Sequence, residues 1–212
     1  MRTFIKICGV TRPEEIGWAA DAGADAVGFV FAPSRRQVSL EQAKALSSAS
    51  GRVLQVGVFK DCAARVVNEY ARALRLDFVQ LHGQVSGTLE AGPFGLIRAL
   101  TPDLELANDA LLKDADYLLL DSRRPGSGRA FPWAEAERLL TALRLAGKHL
   151  PPIIIAGGLT AHNVLEALEL FRPAGVDVSS GVEVDDVKNR RKINEFVQTV
   201  RRWEYGKREV AR

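Results

Sequence analysis

A thiol, Cys8, closes the apolar run Thr3–Ile7; one carboxylate, Asp121, closes Tyr117–Leu120, and another, Asp177, sits inside Val176–Val178. A thiol at a strand end is a nucleophile, a base or simply a small buried apolar residue, and burial is the commonest fate of its type. Lys6 shares its parity, and a cation there would lower the thiol pKa. For Asp121, which leads into the polar loop Ser122–Gly128, two readings stand side by side. It is a cap or salt-bridge partner, or a proton donor whose pKa rises as substrate encloses it. Gln80 and His82 share parity at another run, and His82 reads most simply as a satisfied rim histidine. Cys62, at the start of a helical pattern, reads as structural.

A second chemistry is phosphate binding, and its signal has two halves. Ile153-Ile154-Ile155-Ala156-Gly157-Gly158-Leu159-Thr160 is a buried strand opening through two glycines into a helix; Val176-Asp177-Val178-Ser179-Ser180-Gly181 is a strand ending in small residues. Small residues let a phosphate approach backbone N–H groups closely. Arg35-Arg36 is either a solvated pair or a source of one guanidinium fork for a carboxylate. No His, Asp, Glu and Cys spacing suits a metal, so no metal is expected.

These residues must be positioned by the elements between them. Strand-like runs at Thr3–Ile7, Ala26–Phe31, Val53–Phe59, Phe78–Leu81, Gly95–Ala99, Tyr117–Leu120, Ile153–Ile155 and Val176–Val178 alternate with helical patterns. The helices are expected at Pro13–Ala22, Leu40–Ser48, Ala63–Leu74, Pro102–Leu111, Trp133–Leu145, Ala161–Leu170 and Asn189–Trp203, while Ser86–Gly92 has room only for a short one. Alternating strand and helix imply a parallel sheet, and eight units of roughly 25 residues close into a small (β/α)8 TIM barrel. An open doubly wound sheet would want a Gly-rich fingerprint after the first strand, and Gly9-Val10-Thr11 is not one. In a barrel the active site forms at the C-terminal strand ends and phosphate binds after the seventh and eighth strands, where the two glycine-bearing runs fall.

Composition sets the outer limits. The 212 residues suit one domain, expected as a barrel over 1–203 with a polar, frayed tail over 204–212. A net charge of +3 is too weak a field for nucleic acid. No apolar run approaches the roughly 20 residues of a membrane span, so the expected compartment is the cytoplasm. No exposed apolar stripe separates a monomer from a homodimer.

Taken in order, Lys6-Ile7-Cys8-Gly9, Gly23–Phe31, Ser34-Arg35-Arg36-Gln37-Val38-Ser39, Val56–Phe59, Val79–Gly83, Leu118–Asp121, Gly157-Gly158-Leu159 and Val176–Glu183 resemble the phosphoribosylanthranilate isomerase family over nearly the whole chain. The resemblance implies a cofactor-free Amadori rearrangement of N-(5-phosphoribosyl)anthranilate, a phosphorylated small-molecule substrate, in tryptophan biosynthesis. It implies Asp121 as acid, Cys8 as base and Arg36 on the anthranilate carboxylate. Amides near Gly157, Gly158, Ser180 and Gly181 would hold the phosphate, with Asp177 near the sugar hydroxyls or the anthranilate nitrogen. Acid and base would then need pKa shifts of opposite sign, the thiol lowered and the carboxyl raised. Phe131-Pro132-Trp133 stands where the family commonly has Phe-Asp-Trp, and Pro is tolerated at a first helical position.

The related histidine-pathway isomerase has two aspartates and a second phosphate site, against which Cys8 and the loop His82–Gly87 argue. Indole-glycerol phosphate synthase would need an N-terminal extension and a Glu-Lys pair. A non-catalytic phosphate-binding barrel has no need of both Cys8 and Asp121.

Overall fold

Phe4–Cys8 (β1) pairs in parallel with Ala26–Val30 (β2), and the pairing continues around a closed ring. The ring runs through Leu54–Ala63 (β3), Phe78–Ser86 (β4), Gly95–Leu100 (β5), Tyr117–Leu120 (β6), Ile153–Ile155 (β7) and Gly175–Val178 (β8), which returns to β1. The computed structural model describes residues 2–48, 51, 53–100, 114–121, 133–147 and 150–210. The helix expected at Pro102–Leu111, the loop Ser122–Gly128 and the Phe131-Pro132 step lie outside them. The helices described are Pro13–Ala22 (α1), Leu40–Ser47 (α2), Ala64–Leu74 (α3), Trp133–Leu145 (α4), Val164–Phe171 (α5) and Arg190–Val210 (α6). None is long and apolar enough to cross a membrane.

Local chemistry explains the helix starts. Pro13 opens α1, and the Glu15 carboxylate turns back to accept from Thr11 N (2.7 Å) and Arg12 N (3.3 Å). Ser39 and Gln42 close a capping box on α2, at 3.1 and 2.8 Å.

Two apolar clusters share out the core. The larger lies between sheet and helices; the smaller, around Ala26, Val56, Ile97, Leu119 and Ile154, fills the barrel. Phe4, Phe78 and Tyr117 plug its N-terminal end, with ring centroids 5.8–6.3 Å apart. Apolar filling therefore gives out toward the other end, where Lys6, Gln80 and Asp177 are buried.

Three elements differ from expectation. β4 runs on to Ser86 because, past an irregularity near Lys60, Cys62 and Ala63 pair with Val85 and Ser86. That extended pairing takes up part of the Ser86–Gly92 stretch, and no helix forms between β4 and β5. The polar segment from Glu204 lies within α6 rather than in a frayed tail: Glu204 is buried, accepts from Thr3 N–H and pairs with Arg201 (3.3 Å). Arg201 also grips Thr3 O, Gly23 O and Asp25 at 2.7–2.9 Å, so the last helix is fastened to the first strand.

Candidate active site

The C-terminal strand ends enclose a cavity of about 220 Å³ lined by Cys8, Arg36, Asp121, Gly157, Gly158, Asp177 and Ser180, among others. Of the residues singled out above for chemistry, Lys6, Arg35 and Gly181 do not line this cavity. That glycine sits behind the wall, where a Cβ would lie 1.8 Å from the Leu159 carbonyl oxygen. Its close approach locks the β8 loop against the β7 loop, whose Gly157 and Gly158 take φ of 82° and 70°. A larger hollow of about 410 Å³ opens at the N-terminal end of the barrel, but the only ionisable side chains among its described residues are Arg2, Arg144 and Arg172, which cannot exchange protons at ordinary pH.

The floor is built by β1 and β8. Their register sets Lys6 beside Asp177, and Lys6 Nζ meets Asp177 Oδ1 at 3.0 Å with the lysine side chain fully buried. Gly28 on β2 makes room: a Cβ there would stand 3.0 Å from both Lys6 Nζ and Cys8 Sγ. Burial alone would lower the Lys6 pKa, but Asp177 and Cys8 outweigh it and hold the ammonium above its ordinary value. For Cys8 burial wins. It raises the thiol, Asp177 adds to the rise, and Lys6 offsets only part of it. The lowered thiol pKa expected from Lys6 is therefore corrected, because burial of the thiol outweighs the cation beside it.

The rim is built by the loop after β2 and a hairpin after β8. Ser180–Val182 forms a 3-10 turn leading into Glu183–Val184 (β9) and Val187–Lys188 (β10), which pair antiparallel. Buried Glu183 takes both arms of Arg36, Nε to Oε1 and Nη2 to Oε2, each at 2.7 Å. Arg35 reaches Glu183 (3.0 Å) and Asp186 (2.7 Å), and Lys188 donates to Glu183 Oε1. Lys188 also bonds Ser179 O (3.1 Å), and Ser179 Oγ donates to the Cys8 carbonyl (2.9 Å), tying rim to floor. Burial works against the Glu183 carboxylate, yet the bonds from Arg36 and Lys188 override it and hold its pKa at about 2. Burial keeps Lys188 below its usual value, and the Glu183 bond raises Arg36.

Sequence reasoning did not single out Glu183 or Lys188. The alternation in Glu183-Val184-Asp185-Asp186-Val187-Lys188 was the available signal, since an Asp-Asp turn between β-branched residues marks a hairpin with its ends side by side. Lys60 joins the cavity wall, and the half-buried His82 has its pKa lowered to about 4 by desolvation and by the charges of Lys6 and Lys60. Among the described residues no group of three or more His, Cys, Asp or Glu could hold a metal ion. The arrangement offers a thiol and a carboxyl group at separate strand ends, a cationic rim, and a glycine-serine wall suited to an anion.

A family model described as N-(5′-phosphoribosyl)anthranilate (PRA) isomerase matches residues 5–199. An N-(5′-phosphoribosyl)anthranilate isomerase of Streptococcus pneumoniae is 41% identical over 201 residues, 94% of this chain and 96% of its own length. A crystal structure of phosphoribosyl anthranilate isomerase in complex with reduced 1-(o-carboxyphenylamino)-1-deoxyribulose 5-phosphate superposes with a TM-score of 0.76 at 31% identity, covering 94% of this chain and 98% of that one. A crystal structure of monomers generated from the dimeric isomerase of Thermotoga maritima gives a TM-score of 0.74 at 30% identity, with the same coverage.

Proposed function

The chain belongs to the N-(5′-phosphoribosyl)anthranilate isomerase family, and from that premise we propose which of its residues carry the reaction. It is an isomerase of tryptophan biosynthesis that converts N-(5-phosphoribosyl)anthranilate to 1-(2-carboxyphenylamino)-1-deoxyribulose 5-phosphate. The observation behind our assignment of roles is the gathering of Cys8, Asp121, Arg36 and the glycine-serine wall around one cavity.

In our reading Asp121 protonates the furanose ring oxygen. The C1′–O4′ bond breaks with its electrons going to oxygen, and the nitrogen lone pair forms a protonated Schiff base. Cys8 then takes the C2′ proton, the C–H electrons become the C1′=C2′ bond, and the nitrogen is neutralised. The enolamine so formed tautomerises to the ketone. A thiol raised by burial ionises reluctantly in the empty site, but the Schiff-base cation arrives as a new positive charge beside it. Ring opening thus lowers the thiol pKa at the step that needs a base.

Arg36 spends Nε and one Nη2 hydrogen on Glu183, which leaves Nη1 and the other Nη2 hydrogen for the anthranilate carboxylate. The phosphate rests on the wall formed by Gly157, Gly158 and Ser180, and Gly181 fixes the loop behind it. Asp177, with one oxygen on Lys6, turns its other oxygen to the sugar hydroxyls or the anilino nitrogen. The rearrangement needs no cofactor. We place the enzyme in the cytoplasm as a single barrel, monomeric or homodimeric.

The test is turnover of N-(5-phosphoribosyl)anthranilate, followed by loss of anthranilate fluorescence. Cys8→Ser and Asp121→Asn should each fall by about two orders of magnitude or more, the usual worth of a general acid or base. Near-wild-type rates in either variant would remove that residue from its role.

A further inference from the structure

Gln80 projects from β4 into the barrel at 2% exposure and lines the cavity. Its Nε2 lies 2.8 Å from His82 Nε2, while its Oε1 is buried without a hydrogen-bond partner. An orphaned acceptor in a protein interior is costly, and such a cost persists where something outside the chain removes it. The bond to His82 engages the nitrogen end of the amide and leaves Oε1 without a partner. A neutral imidazole accepts from Gln80 through Nε2 and carries its proton on Nδ1, and this holds the amide by its nitrogen end.

We propose that Gln80 is a substrate-binding residue whose Oε1 accepts a hydrogen bond from a ribose hydroxyl of the phosphorylated substrate, with His82 as its positioning residue. The inference rests on the isomerase reading of this cavity. With the phosphate on the β7–β8 wall and the carboxylate at Arg36 beyond β2, the sugar spans the mouth between them, over the side chains that rise from the floor. The substrate offers three donors there, the C2′ and C3′ hydroxyls and the anilino N–H. The N–H closes a six-membered ring onto its own ortho carboxylate, so the hydroxyls are the donors left to meet Gln80.

The probes are the reduced product analogue, which carries the hydroxyls, and 2-[(5-phosphonooxypentyl)amino]benzoate, a chain of the same length without them. Binding of each is measured by titration calorimetry. The wild type should prefer the hydroxylated analogue, and Gln80→Met should shrink that preference by roughly 10- to 100-fold, the fold equivalent of one lost buried hydrogen bond. Affinity for the hydroxyl-free chain should stay within about twofold, a pattern that general damage to the fold does not produce. Gln80→Asn, which keeps the amide but withdraws its oxygen by one methylene, gives the same reading should Gln80→Met not fold. A preference unchanged in either folded variant overturns the contact. If the wild type binds neither analogue, the isomerase reading falls and this contact with it.

Discussion

Lys6–Asp177 on the barrel floor and the Arg36–Glu183–Lys188 cluster at its rim are both buried ion pairs, yet they are built to opposite ends. The floor holds one cation against one carboxylate, closed on itself. The rim holds Arg35, Arg36 and Lys188 against Glu183 and Asp186, three cations to two carboxylates, and so keeps one positive charge in hand. On the floor, burial of the Cys8 thiol outweighs the pull of Lys6, and Asp177, the balancing half of the pair, adds to the rise. The unbalanced rim suits an incoming carboxylate. Position in the barrel thus matters less than local charge balance in deciding which cluster meets the substrate's fixed charge.

The floor should break hardest. Lys6→Met leaves the Asp177 carboxylate buried without its cation, and removing one partner of such a pair typically costs about 3–5 kcal/mol. Chemical denaturation should show that loss, and Lys6→Met/Asp177→Leu should recover most of it. Unchanged stability in the single variant would mean that Asp177 finds water or another partner, and the floor would no longer count as closed.

The rim should yield in specificity before stability. Arg36→Met still leaves Glu183 held by Lys188 and Arg35, so the protein should fold. For N-(5-phosphoribosyl)anthranilate, kcat/KM should fall by roughly 10- to 100-fold, the worth of a charge-assisted hydrogen bond. For the corresponding aniline compound, which lacks the carboxylate, it should barely move. Equal losses on both would assign Arg36 to architecture and leave the spare charge without a ligand.

The contrast between floor and rim also marks what could be read from the chain. Tyr117–Leu120 and Ile153–Ile155 were legible to the residue, because an apolar run between polar neighbours is a local signal. Cys8, Asp121, Asp177 and the Gly157-Gly158 turn followed from strand parity and turn chemistry. The pairing of Arg36 with Glu183 spans 147 positions and that of Lys6 with Asp177 spans 171, and no local pattern encodes either. The sign of the Cys8 shift is set by burial, with Asp177 adding to it, so Lys6 was visible and the burial that outweighs it was not. The overrun of β4 past Leu81 and of α6 past Trp203 has the same origin, in partners supplied by β3 and β1.

The smallest effect, and the one that separates the clusters most cleanly, is their response to pH. Glu183 has a folded pKa of about 2 against an ordinary value of 4.5, so its contribution is complete above pH 4.5 and is lost as pH falls toward 2. Lys6 and Cys8 are both raised, so theirs is complete below about pH 9 and is lost as pH climbs past the unfolded values of 9.0 and 10.5. Lys188, lowered by burial, works the other way over the alkaline range and blunts that loss. Thermal midpoints measured from pH 2 to 11 should therefore fall at both ends for different reasons. Glu183→Gln should flatten the limb between pH 4.5 and 2 and leave the alkaline limb in place. Cys8→Ser should do the converse, reducing the fall above pH 9 while the acid limb stays. If either substitution flattened both limbs, the two clusters would be one coupled network through Lys188, Ser179 and the Cys8 carbonyl, and the distinction between a closed floor and an open rim would have to be given up.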